Sequence, residues 1–156
     1  AEADSFWCFH HLMESFRDVY DVVQDDSNQG IHAALHSMGE LLSTLDAELA
    51  EYLEEQNLVP TLYALRWITL ILCHEFRLPD VLRLWDSIFA QPVSDRMQFL
   101  LYVCCAMVIY LREDLMTHNF ADNLQKLQNY PRDLDVEDII FSAEQLRASK
   151  IRKPVW

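Results

Sequence analysis

The sequence predicts an all-α fold of about eight helices, and three observations carry that expectation. Glycine occurs only twice in 156 residues, at Gly30 and Gly39, and proline five times. Sheets joined by tight turns need many more turn residues. Apolar residues recur every three or four positions along most of the chain. The longest uninterrupted apolar run, 99–111, suits a helix buried on nearly all sides. It falls short of the roughly 20 residues that span a bilayer, so no transmembrane segment is expected.

The elements follow from this periodicity. A first helix over 3–23 places Phe6, Phe9, Leu12, Met13, Phe16, Val19 and Tyr20 on one stripe. The polar stretch 24–28 breaks it. A second helix over 30–43 turns Ile31, Leu35, Met38, Leu41 and Leu42 to the core. Asp46 caps a third, with Leu49, Tyr52 and Leu53 inward, fraying at Gln56 and Asn57. The stretch 61–76 is apolar almost all round and reads as one continuous fourth helix. Pro79 and Asp80 suit the first turn of a fifth, where a missing N–H costs nothing and a carboxylate meets the positive helix end. A sixth covers 95–115. A seventh runs from 119 to 130 and stops at Pro131. Asp135 caps an eighth, whose stripe is Val136, Ile139, Ile140, Ala143 and Leu146. One domain unit over 1–150 is expected, with a frayed basic tail over 151–156. No repeat or linker divides it.

Composition narrows the function. Apolar residues make up 51% of the chain, enough for a substantial core, and a chain of this size buries about 70% of its unfolded surface. The formal charge of −13 argues against nucleic acid and anionic membrane surfaces, since both need clustered Lys and Arg. Cys8, Cys73, Cys104 and Cys105 each lie in an apolar stretch without C-x-x-C spacing, and they read as buried free thiols in a reducing compartment. The acidic N-terminus lacks the basic region of a secretory signal. The expected location is therefore the cytoplasm.

Candidate chemistry is sparse. Two glycines cannot build a phosphate-cradling loop, and no G-x-S-x-G elbow occurs, so no cofactor is expected. His32, His36 and Glu40 share a helix face at zinc-compatible spacing, but a polar face produces that spacing by chance. His10 and His11 with Glu14 are poorer, because adjacent residues point apart. No metal site is assigned. Arg66 sits within an apolar stretch and must be paired, with Asp86 or Glu75 as partner. The expected role is an ion pair that fixes the packing of the fourth helix on the fifth. Trp67 and Trp85 read as core aromatics with satisfied N–H groups. Phe6 and Trp7 straddle the buried and exposed sides of the first helix, and core packing is their default.

The run Y-A-L-R-W-I-T-L-I-L-C-H-E-F-R-L-P-D-V-L-R-L-W-D-S-I-F-A over 63–90 resembles the signature of TBC domains, the helical modules of Rab GTPase-activating proteins. Its marks are Arg66-Trp67, Glu75-Phe76 and Trp85-Asp86. The segments E-A-D-S-F-W-C-F at 2–9, D-A-E-L at 46–49 and L-Q-N-Y-P at 127–131 resemble other family segments in the same order. The signature residues Arg66, Trp67, Glu75, Trp85 and Asp86 are expected to be structural.

The resemblance implies the C-terminal half of a TBC domain, with a Rab-family small GTPase and the N-terminal half of the domain as partners. Recruitment to membranes would come through the Rab. The family supplies an arginine from I-x-x-D-x-x-R and a glutamine from Y-x-Q, and neither motif occurs in these 156 residues. Asp80-Val81-Leu82-Arg83 has the D-x-x-R spacing, but Arg77 replaces the isoleucine and the run lies inside the Trp-Asp signature. No catalytic residue is therefore expected in this chain. The alternative reading is a non-catalytic helical interaction scaffold on a TBC-like fold. Exposed apolar surface is expected on the first and fourth helices, where missing helices would pack.

Overall fold

The computed structural model describes residues 1–20 and 30–151. Among them there are nine α-helices and no strand: α1 (Glu2–Tyr20), α2 (Ile31–Leu45), α3 (Ala47–Glu55), α4 (Ala64–Thr69), α5 (Leu78–Phe89), α6 (Arg96–Tyr110), α7 (Arg112–Leu115), α8 (Phe120–Gln128) and α9 (Val136–Ile151). Short 3-10 turns lie at Pro60–Leu62 and Val93–Asp95. The polar break at 24–28 and the tail beyond residue 151 lie outside the described residues.

α6 is the axis of the fold. Every residue from Phe99 to Val108 is buried. A helix apolar on all sides has no solvent face, so other elements must surround it. α9 and α2 cover most of it, and α4, α5 and α1 complete the shell. α9 contributes Val136, Ile139, Ile140 and Ala143, the expected stripe. α2 contributes the expected Ile31, Leu35, Met38, Leu41 and Leu42.

Asp46 and Asp135 act as the expected caps, and Asn119 adds a third. The Asp46 side chain accepts from Leu49 N at 3.1 Å and starts α3. Asn119 Oδ1 accepts from Ala121 N at 2.9 Å and starts α8. Asp135 Oδ1 accepts from Glu137 N at 2.9 Å at the start of α9. Each satisfies a backbone donor that the helix itself cannot. Gly30 precedes α2 at φ 94°, a conformation natural to glycine. Leu49 and Leu53 are buried, whereas Tyr52 is half-buried and donates its hydroxyl to His118 O at 3.0 Å.

Four expectations need correction. The continuous fourth helix over 61–76 does not form. α4 ends at Thr69, and Ile71 and Leu72 take left-handed backbone at φ 46° and 61°. Both side chains are buried, so the all-round apolar pattern came from a buried turn rather than from a helix. The sixth helix breaks at Leu111, giving α6 and α7. The break at Leu111 brings the described residues to nine helices, in keeping with the expected count of about eight. Cys8 and Cys73 are exposed; only Cys104 and Cys105 are buried. Phe6 and Phe9, placed on the core stripe of the first helix, are exposed as well, and burial starts at Leu12 and is complete at Phe16.

The thiols give a direct check. Burial pushes the Cys104 thiol well above its ordinary range, so it stays protonated as well as inaccessible. Under native conditions Cys8 and Cys73 should react with a thiol reagent while Cys104 and Cys105 stay unmodified. Peptide mapping after brief labelling reads this out, and early modification of Cys104 or Cys105 would contradict the buried α6.

Candidate functional site

The signature residues converge on the turn that follows α4. Glu75 is 2% exposed, and its carboxylate receives Arg66 Nε at 2.8 Å and Arg66 Nη2 at 2.9 Å. This is a two-pronged guanidinium–carboxylate pair, the strong geometry for such a contact. Arg66 Nη2 also donates to Gln128 O at 2.6 Å at the end of α8. Gln128 answers by donating Nε2 to Leu62 O at 2.9 Å. Four residues thus lock the segment 62–75 onto α8. The Glu75 hydrogen bond, foremost, holds the Arg66 guanidinium above its ordinary range.

Spacing explains why the helix must break here. Nine residues of straight helix would separate Arg66 from Glu75 by about 13 Å along the axis. The left-handed pair Ile71-Leu72 reverses the chain and returns Glu75 to Arg66. Leu72 N donates to Trp67 O at 2.8 Å and closes the α4 end. Trp85 Nε1, from α5, donates to Ile71 O at 2.9 Å and pins the outer side of the turn.

The Arg66 pairing therefore goes to Glu75, not Asp86. It ties α4 to α8 rather than to α5. Arg66 is also 44% exposed along its side chain, so it lies at the rim of the core. Asp86 is exposed. Its charge, after the larger contribution of the Glu137 hydrogen bond, helps hold Arg83 in its charged form. Arg83 spans α5 and α9 through Glu137, at 2.5 and 2.9 Å.

Trp67 is fully buried, edge-on to Tyr63 at 5.3 Å and to Tyr130 at 5.7 Å. Trp85 satisfies its N–H as expected. Trp67 does not, because Nε1 has no hydrogen-bond partner, and neither does the neighbouring Tyr63 hydroxyl. Tyr130 donates its hydroxyl to Met107 O at 3.1 Å.

Reasoning from sequence missed Gln128 and Arg112. Arg112 bonds Asp46 at 2.8 Å and contacts Glu48, joining α7 to the start of α3. It also missed Asn123, buried in α8, whose amide donates to Leu115 O at 2.9 Å. The signal for Asn123 was available: it precedes the core residue Leu127 by one helical turn.

The histidine groups form no site. Glu40 meets His36 at 3.7 Å on exposed surface, and His32 is also exposed. Among the described residues no group of three His, Cys, Asp or Glu side chains is placed to hold a metal ion.

A second feature lies between α1 and α5. A groove of about 550 Å³ is lined by Cys8, Phe9, Leu12, Trp85 and Phe89. Arg96 roofs one wall, with its guanidinium 5.4 Å from the Phe89 ring centre. Phe9 is 60% exposed at the groove, and Phe6 and Trp7, outside it, are 62% and 57% exposed. Leu62, Leu65 and Leu70 are exposed around α4. Apolar side chains are thus exposed on α1 and around α4, where bare apolar surface was expected.

An all-helical shell around one buried axis, braced at one turn by Arg66, Glu75 and Trp85, makes a helical domain module. The chain belongs to the Rab-GTPase-TBC domain family, whose pattern matches residues 1–116. It is 45% identical over 150 residues to TBC1 domain family member 13 of Homo sapiens, covering 96% of this chain and 37% of that protein. The quoted segments resemble that subtype most, in agreement with this match. GTPase-activating protein gyp1 of Schizosaccharomyces pombe is 30% identical over 139 residues, covering 88% and 26% respectively. The crystal structure of the Ypt/Rab-GAP domain of Gyp1p superimposes with a TM-score of 0.85 at 28% identity, over 97% of this chain and 46% of that one. The chain thus spans less than half the length of each of these relatives.

The ion pair gives an asymmetric prediction. Arg66→Ala leaves a buried carboxylate unpaired and should cost about 3 kcal/mol. Glu75→Gln leaves a rim guanidinium that water can solvate, and the new amide can still accept a bond, so the loss should be about 1 kcal/mol. Urea unfolding of both variants measures the difference; equal losses would show that burial of Glu75 does not set the energetics.

Proposed function

We propose that this chain is the C-terminal part of a Rab GTPase-activating domain, and that it does not accelerate GTP hydrolysis by itself. Its role is to brace the part of the domain that carries the arginine and glutamine fingers. The observation that carries this reading is a mismatch: the sequence matches the family over most of its length yet holds neither I-x-x-D-x-x-R nor Y-x-Q.

Stand-ins within the chain are poorly suited. A finger must reach a phosphate through free donors. Arg66 commits Nε and Nη2 to Glu75 and Gln128. Arg83 commits its guanidinium to Glu137 and Ser87. Arg112 is held by Asp46 and Glu48. An arginine finger supplies about 10³–10⁵ in rate, or roughly 4–7 kcal/mol of barrier. No bracing contact replaces that.

The partners on this reading are a Rab-family small GTPase and the finger-bearing half of the domain. The setting is cytoplasmic, with vesicle membranes reached through the Rab. A full-length protein without either finger would instead be a non-catalytic scaffold on the same fold.

Single-turnover GTP hydrolysis by a panel of Rab proteins, with the purified chain added, is expected to stay at the intrinsic rate. Acceleration beyond about tenfold, equivalent to about 1.4 kcal/mol of barrier, would overturn the proposal.

A further inference from the structure

α1 contains a turn that no single surface can bury. Phe6, Trp7, Cys8 and Phe9 are consecutive, and successive helical residues lie about 100° apart. Their side chains therefore point to four quadrants. Leu12 marks the direction of the body, because it is partly buried against the core. Relative to it, Cys8 and Phe9 lie within about 60°, and they line the groove opposite Trp85 and Phe89. Phe6 and Trp7 lie about 120–140° away and face outward.

The body holds only the later turns of the helix. Phe16 is buried and meets Phe89 edge-on at 6.2 Å, whereas residues 1–11 are all exposed. A helix that is apolar all round belongs between two surfaces, and this chain supplies one of them. A short unsupported helical stretch is also marginal in water on its own.

The fold comparison leaves room for the second surface. The chain superimposes closely on 46% of the solved Gyp1p domain, so more than half of that domain corresponds to nothing here. We propose that α1 is a wedge between two lobes of the TBC domain. This chain receives its Cys8–Phe9 side in the α1–α5 groove. The part of the domain that this chain does not span receives Phe6 and Trp7 and closes the groove mouth. The inference rests on the reading that such a part completes the domain. It adds which turn joins the two, and that Trp7 is the anchor, since large aromatics dominate such contacts.

The Cys8 thiol, inside this turn, reports the closure. Alkylation of Cys8 and hydrogen exchange at residues 6–11 are compared between the 156-residue chain and a full-length protein that carries it. The expected result is slowing of both by at least about tenfold in the full-length protein, with Cys104 and Cys105 unreactive in each. Trp7→Ser should restore Cys8 reactivity in the full-length protein and leave the melting temperature of the 156-residue chain unchanged. Equal Cys8 rates in the two proteins would overturn the wedge. So would protection in the 156-residue chain that rises with its concentration, because the occupant would then be a second copy. Rab activation is assayed on the same full-length sample. Protected Cys8 without activation keeps the wedge and removes the proposed function; activation with open Cys8 does the reverse.

Discussion

The Glu75 carboxylate is the constraint around which the middle of this structure is arranged. A buried carboxylate without a partner is too costly to keep charged, so a cation must come to it. Arg66 is that cation, and it lies only nine residues back in the sequence. A straight helix would hold the two apart. The chain therefore reverses at Ile71 and Leu72, although left-handed backbone costs roughly 1–2 kcal/mol per residue for side chains of this kind. Burial of both side chains offsets that, since each fully buried aliphatic side chain contributes about 1.5–3 kcal/mol. The reversal then exposes Ile71 O to Trp85 and brings Arg66 to Gln128. One ion pair thus fixes the end of α4, the seat of α5 and the end of α8.

α6 sets the second level of organisation. Its burial on all sides forces other helices to surround it, and the spans of α2 and α9 match its length. The ion pair works at the edge of that shell. It adds little cohesion of its own beside the apolar core, but it decides which way the 70–76 turn folds. Trp67 shows the cost of dense packing. Its ring fills the space between Tyr63 and Tyr130, and its N–H finds no acceptor there. An unmade buried hydrogen bond costs about 1–3 kcal/mol, which the aromatic contacts and the buried indole outweigh.

Much of this was legible in the sequence because helical periodicity, caps and scarce glycine are local signals. α2, α3, α5, α8 and α9 fall within a few residues of their expected positions for that reason. The broken fourth helix was not legible. Its residues are apolar and β-branched or leucine-like in either conformation, and only the distant demand of Glu75 for Arg66 distinguishes a turn from a helix. The exposed side of α1 was misread for a related reason. Periodicity shows that a face is apolar but not what covers it. Phe6 and Phe9 obey the same spacing as Phe16, yet only Phe16 is buried. At the signature cluster the residue types were legible and the pairing was not, because Glu75 and Asp86 are equally plausible partners until the turn is known.

On the proposed reading, the residues that carry the family signature hold the fold together, and the chemistry falls to others. Arg66, Trp67, Glu75 and Trp85 stand together because their spacing encodes one reversal of the chain. A guanidinium spent on holding that turn cannot also reach a nucleotide. Bracing and catalysis make opposite demands on an arginine: full satisfaction of its donors in the first case, free donors in the second. Arg83 comes nearest to the first demand, with Nε, Nη1 and Nη2 all bonded, while Arg66 and Arg112 each commit Nε and Nη2. At its best-braced positions the chain therefore spends its guanidiniums on holding helices together.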